Sequence, residues 1–160
     1  QIILIPLLLV IIGHFRQAQR MIVAVSMGSI VAGLIYYFFP TTGPASVIPN
    51  HHYVQSSYQL VQRFISIHRN QFPKSLGAVG LIAFPSCHVL IATILTLFTA
   101  RIKFIGPCIV VSNVLLVFAT MALGYHFFAD VLAGIALAVL FYWLSGKIQN
   151  WSVKRKLEGG

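Results

Sequence analysis

Apolar runs broken by short polar turns set the pattern of this chain. Residues 21–39, 85–100, 104–125 and 126–146 are each predominantly apolar and bounded by polar or turn-forming positions. A stretch of about 20 such residues crosses the hydrocarbon core of a bilayer as a helix, so these runs predict transmembrane helices. Residues 2–12 form a further apolar run that contains Pro6 and is too short to span. It reads as a truncated or short first helix, and without a basic segment before it or a small-residue cleavage site after it, a signal peptide is not expected. Residues 40–84 follow another rhythm. Val54, Tyr58, Val61 and Ile65 recur at helical spacing beside Leu60, Phe64 and Ile67, while Gln55, Ser56, Gln59, Gln62, Arg63 and Ser66 fall opposite. That periodicity predicts an amphipathic helix lying in the membrane interface or capping a bundle. Small residues four apart (Ala24, Gly28, Ala32; Ala129, Ala133; Gly134, Ala138) predict close approach between helices. The fold expected is all-α: a single membrane-embedded domain over residues 1–160, a multi-pass bundle of about five to six spans with an outward interfacial helix in the 40–84 loop.

Composition agrees with the pattern. Of 160 residues, 58% are hydrophobic and 8% charged, and the mean hydropathy is +0.88. Soluble domains carry about 25% charged residues, which excludes a soluble enzyme, a disordered tail and a secreted disulfide scaffold. Net charge is +9, from eleven Lys and Arg against two acids. If each run crosses the membrane, Arg16, Arg20, Arg101, Lys103, Lys147, Lys154, Arg155 and Lys156 share one face, and only Arg63, Arg69 and Lys74 lie on the other. Eight against three is the positive-inside asymmetry. The basic turns and the C-terminal tail are therefore expected in the cytoplasm, with the 40–84 loop and the turn at 125/126 facing periplasm, exterior or lumen. This distribution accounts for the basic charge without nucleic acid. The partners expected are the lipid bilayer and a membrane lipid. Residues 157–160 read as an added remnant, which leaves Asp130 as the one acid in the body of the chain.

A carboxylate within an apolar span costs about 2.5–3.5 kcal/mol at the helix centre and needs a partner. His126 lies four residues earlier, on the same helix face. The expectation is that Asp130 accepts the His126 Nδ1–H and leaves Nε2 free, the base–orienter half of a catalytic triad. The plainer alternative is a His–Asp pair that only staples a helix. A second group starts the run at residue 85. Pro85 suits a first helical turn, the free N–H groups of a helix start bind anions, Ser86 adds a hydroxyl, and His88 follows on the same outward side. Two histidines, one carboxylate and an anion-binding helix end at one membrane face suit phosphoryl transfer. Other features carry less. His51-His52 has no acid or thiol nearby and reads as exposed loop. Cys87 points away from His88 and reads as a small packed residue, and Cys87 and Cys108 fall at opposite membrane faces, beyond disulfide reach. No metal site and no cofactor is expected.

Here the chain resembles a known family. Pro85-Ser86-Cys87-His88 is similar to the P-S-G-H motif of the type 2 phosphatidic-acid phosphatase superfamily, and residues 124–134, containing His126 and Asp130, resemble its final motif, H-x-x-x-D followed by a small-residue helix. Phe39-Pro40-Thr41-Thr42-Gly43-Pro44 resembles the Pro-rich stretch of the branch containing inositol-phosphorylceramide-synthase-like proteins. The resemblance implies that His126 attacks phosphorus and forms a phosphohistidine, that Asp130 orients it, that His88 protonates the leaving alcohol, and that Ser86 contacts the phosphate, with no metal. The cations that the family places on the phosphate are missing: Ala119 and Thr120 stand where it often has Ser-Arg, and no Arg-Pro occurs. Arg63, Arg69 and Lys74 are the outward cations left to bind substrate. The function expected is an integral-membrane, metal-independent lipid phosphate phosphatase acting on a phosphomonoester or diphosphate at the outward face. The rivals are a lipid phosphotransferase with the same His/His/Asp set and a catalytically dead lipid-binding relative.

Overall fold

The computed structural model describes residues 1–48, 50–69 and 83–158. Among these the chain is helical and without strands. Six α-helices are present, α1 (Leu4–Ile11), α2 (Phe15–Phe38), α3 (Gln55–His68), α4 (Cys87–Thr99), α5 (Ile105–Ala122) and α6 (Phe128–Glu158), with a 3₁₀ turn at Pro44–Ser46. A multi-pass helical bundle is the architecture expected of the sequence. Of the predicted spans, Phe15–Phe38, Ile105–Ala122 and Phe128–Ser152 are long and apolar enough to cross a membrane, and Cys87–Thr99 is a shorter apolar helix.

The helix bounds depart from the apolar runs at polar ends. α2 begins at Phe15 and takes in Arg16, Gln17 and Arg20, which the hydrophobic pattern assigned to a turn. Arg and Gln are good helix formers, and their long side chains carry polar heads out of an apolar surface, so they extend a span. For the same reason α6 runs without a break through Gly146 and the basic tail to Glu158.

α4 and α6 run together from one end of the bundle to the other, and α2 and α5 run back against them. At one end Phe98 of α4 stacks edge-on against Tyr142 of α6, with ring centroids 4.9 Å apart, and Arg20 of α2 reaches both rings. In the middle Leu90 and Phe141 close on Gly28 of α2. The core continues through Met21, Ala24, Ala32, Ile94, Leu95 and Ala138; of the small residues read as close-packing positions, Ala24, Gly28, Ala32, Gly134 and Ala138 lie inside, whereas Ala133 is half-buried and Ala129 exposed. α5 is joined to α4 by Asn113, whose buried Nδ2 donates to the Ala92 carbonyl and to Thr96 Oγ1, each at 2.9 Å. Polar side chains of this kind bind helices together where no water competes.

α3 forms where the amphipathic period predicts it, and its start is tied to the turn between α5 and α6 through a hydrogen bond between the Ser56 and Tyr125 hydroxyls. Gly124 in that turn has φ +82°, and a Cβ there would strike the Tyr53 ring at 2.6 Å. Only glycine satisfies both the left-handed backbone and the ring lying on it. The Pro44–Ser46 turn docks on the same place, with Ala45 N–H donating to the Gly124 carbonyl at 3.3 Å. Cys87 and Cys108 are both free thiols, at the starts of α4 and α5 and hence at opposite ends of the bundle. His51 and His52 are exposed in a turn.

Candidate active site

The two motif segments meet at the end of the bundle where α4 and α6 begin. Ser86 is the N-cap of α4, fully buried, and its Oγ accepts the Val89 N–H at 3.3 Å. Its own N–H donates to the Asp130 carbonyl at 3.1 Å. This backbone link ties the start of α4 to the first turn of α6. The link needs room: a Cβ on Gly134 would come within 2.7 Å of the Ser86 carbonyl oxygen. Replacing Gly134 by Ala should push α6 off the α4 start, costing about 1–3 kcal/mol as an overpacked contact does. A melting temperature and activity both unchanged in the variant would show that the approach is not needed.

His126 is 4% exposed. Its Nδ1 lies 3.0 Å from the Ala83 carbonyl oxygen. A carbonyl only accepts, so Nδ1 carries the proton and Nε2 presents its lone pair. The Asp130 carboxylate is 3.8 Å from Nδ1. That is ion-pair distance and too long for a hydrogen bond. Asp130 Oδ2 instead accepts the Phe127 N–H at 2.7 Å. Phe127 precedes the first residue of α6 and Asp130 is its third, so the carboxylate reaches back to the helix start as the acid of a capping box does. The expected Asp130–Nδ1 hydrogen bond is thus replaced by two bonds: the Ala83 carbonyl fixes the imidazole, and Asp130 caps α6 while its charge faces the ring. Nothing in the sequence marked Ala83, because a carbonyl is common to every residue. The cap was readable, as an acid in the first turn of a helix.

His88 lies in the first turn of α4, exposed, and its ring centroid is 6.0 Å from that of His126, with planes at 58°. One imidazole is buried with a free Nε2 and the other stands beside it at the surface. The N–H groups of Cys87 and His88 head α4 without an intrahelical partner, and the Ser86 hydroxyl proton is free to donate while its oxygen accepts. A nucleophilic nitrogen, a neighbouring proton carrier and convergent donors suit attack on a tetrahedral anion.

The structure brings together Ser86, His88, His126 and Asp130. Of the three cations expected on the face opposite the basic turns, Arg63 and Arg69 are carried by α3 and its C-cap. Arg63 is half-buried in the middle of α3, and Arg69 is exposed at its C-cap. Arg63 follows Ser56 by seven residues, two helical turns on the same face, and Ser56 is the residue bonded to Tyr125, next to His126. Lys74 lies outside the described residues. Thr41, read in the sequence only as part of the Pro-rich stretch, accepts the Phe84 N–H at 3.1 Å and so fastens residues 39–44 to the segment before α4. Among the described residues no three His, Cys, Asp or Glu side chains converge as metal ligands.

The carboxylate's charge is testable apart from its cap. Asp130→Asn keeps an acceptor for the Phe127 N–H and removes the negative charge beside Nδ1. A unit charge at this distance and an effective dielectric near 20 is worth about 4 kcal/mol to an imidazolium. Turnover should fall on the order of 10²-fold or more with melting little changed. Equal activity in Asp and Asn proteins would leave Asp130 only its cap.

Comparison with known families gives one finding: a family model described as the PAP2 superfamily matches residues 1–144 of the chain. No curated protein and no solved structure matches it.

Proposed function

Starting from the chain's membership in the PAP2 superfamily, whose members are phosphoric-ester hydrolases or related transferases, we propose that it is a lipid phosphate phosphatase working through a phosphohistidine on His126. The single observation that carries this reading is the fixed tautomer. With Nδ1–H committed to the Ala83 carbonyl at 3.0 Å, Nε2 is the nucleophile.

Nε2 attacks the phosphorus of a lipid phosphate, and the bond from phosphorus to the leaving alkoxide breaks as His88 gives that oxygen its proton. The Ser86 hydroxyl and the N–H groups at the start of α4 hold the phosphoryl oxygens, and Arg63, two helical turns from Ser56 on one face of α3, is the cation we assign to neutralise them. The positive charge left on the ring faces the Asp130 carboxylate at 3.8 Å. In the second half His88, now neutral, takes a proton from water. The water oxygen bonds phosphorus, the P–N bond breaks, and inorganic phosphate leaves with His126 restored.

A second reading is transfer of the phosphoryl group to a lipid hydroxyl, with the same first half. It is favoured by residues 39–44, the segment resembling the synthase-like branch. That segment lies against both motif segments, through Thr41 on Phe84 and Gly43 on the Tyr125 carbonyl. The purified chain, offered a panel of lipid phosphomonoesters and diphosphates with and without acceptor alcohols, separates the two. Phosphate release without acceptor supports the hydrolase. Product formed only with an acceptor supports transfer. Neither product would overturn the enzyme reading in favour of a lipid-binding relative.

Activity should survive EDTA. The one carboxylate at the site is engaged by the Phe127 N–H, and a zinc site of catalytic type needs three protein ligands. Loss on chelation, restored by one specific divalent ion, would contradict the metal-free mechanism.

A further inference from the structure

At the opposite end of the bundle, about 18 Å along α6 from Asp130 to Tyr142 at 1.5 Å per residue, lies a cavity of about 1190 Å³. It is bounded by the α1–α2 turn, the C-terminal end of α4 with the turn that follows, and α6. Four cations line it, Arg16, Arg20, Arg101 and Lys103, and no acid does. Its walls are fastened: the Gln17 amide donates to the Phe98 carbonyl, and the Gln149 amide to the Arg16 carbonyl at 3.1 Å.

Arg20 is the informative residue. Its guanidinium is held 5.4 Å from the centroids of both Phe98 and Tyr142. One Nη reaches the Tyr142 carbonyl only at 3.5 Å, and the buried Nε has no acceptor. A guanidinium has five donors in a fork that fits a phosphate, and a buried donor left unmet is costly. Here a guanidinium held against two rings lines a cavity that contains cations and no counter-charge. Two further cations of this end differ. Lys147 and Arg155 lie over the Trp143 and Trp151 rings, outside the cavity, as ordinary interfacial anchors do.

We propose that this cavity binds the phosphate headgroup of an anionic phospholipid, a second lipid site separate from the histidines. A lipid fits better than a free anion because exposed apolar side chains, Phe15 and Leu97, stand on the cavity lining beside the cations. They offer the acyl chains a surface where the headgroup meets the arginines. Basic pockets between helices at the positively charged membrane face recognise anionic headgroups on this principle.

The test uses the full chain, purified and delipidated in detergent, with bound lipid mass read by native mass spectrometry after addition of phosphatidylglycerol, phosphatidylcholine or inorganic phosphate. Retention does not depend on turnover. Phosphatidylglycerol should be retained over phosphatidylcholine, and each cation removed should weaken retention about fivefold. Arg20→Gln is the direct variant. Arg101→Gln with Lys103→Gln, on an exposed turn, serves where Arg20→Gln fails to fold. Arg155→Gln should retain lipid as the wild type does. Equal retention of the two lipids would overturn the proposal, as would unchanged retention in the Arg101→Gln, Lys103→Gln protein. Displacement of phosphatidylglycerol by inorganic phosphate at equal concentration would do the same, by making this a site for the free anion.

Discussion

His126→Ala should abolish turnover of every phosphate ester the chain accepts, by on the order of 10⁴-fold or more, as removal of a covalent nucleophile does. Four particulars make this the largest effect expected. His126 is buried to 4% exposure. Its Nδ1 is committed to the Ala83 carbonyl. Its partner ring, His88, is 6.0 Å away, where it serves a leaving group or water better than a phosphorus already seated at Nε2. Asp130 is tied to the Phe127 N–H. No other described side chain at this end combines a free lone pair with that enclosure. The assay is turnover together with trapping of acid-labile phosphate on the protein from a radiolabelled substrate, with thermal melting in detergent as the folding control. Labelled wild type and unlabelled variant is the result expected. A folded variant within about tenfold of wild type would remove His126 from the chemistry.

The second large effect depends on the substrate. A lipid alkoxide departs with a pKa far above neutral and requires a proton, whereas nitrophenolate does not. General acid catalysis contributes about 10²–10⁴-fold. His88→Ala should therefore lower lipid phosphate turnover by about 10²–10⁴-fold, while the first phosphoryl transfer from p-nitrophenyl phosphate is largely kept. His88 is exposed at the head of α4, so its replacement removes little packing, and the contrast between substrates is read on a folded protein. Equal losses on both substrates would make His88 a phosphate-binding residue instead of the acid. The pair of variants thus divides nucleophile from acid, which neither does alone.

How far the sequence carried differs from element to element. The start of α4 was legible to within two residues: Pro85 was read into its first turn, whereas the helix begins at Cys87 with Ser86 as N-cap and Pro85 before it. The meeting of residues 86–88 with 126–130 was legible because both motifs bracket apolar runs that alternate in direction. The orientation of His126 was not. Its hydrogen-bond partner is the main chain of Ala83, and backbone carbonyls leave no trace in residue identity. Asp130 was recognised as out of place in an apolar run, but the sequence could not rank two donors within its reach, a ring four residues back and an N–H three residues back. The N–H prevails because the helix start presents it to the carboxylate at 2.7 Å, whereas Nδ1 finds a carbonyl of its own. The bounds of α2 and α6 were missed at their basic ends, where hydropathy falls although helix propensity does not. Arg20 was counted there only as a topological charge; its place over two rings that pack on each other, and beside a cavity, comes from α2, α4 and α6 converging, which no single run of sequence contains.

The length of α4 has a consequence for the membrane itself. Thirteen residues rise about 20 Å, a third less than the ~30 Å of hydrocarbon in an average bilayer. His88 stands at one end of that helix, and the cavity cations Arg101 and Lys103 follow its other end. If α4 crosses the membrane with the bundle, polar groups at both ends of so short a segment would draw the two headgroup layers toward each other, and α2 and α6, packed on it, are the longer helices. A bilayer meeting both ends of α4 would have to thin beside it, an elastic deformation whose cost rises with every ångström of mismatch. Thin membranes would relieve that strain and thick, sterol-rich ones increase it, so turnover at the histidine end of α4 is expected to vary with the acyl-chain length of the bilayer in which it is assayed.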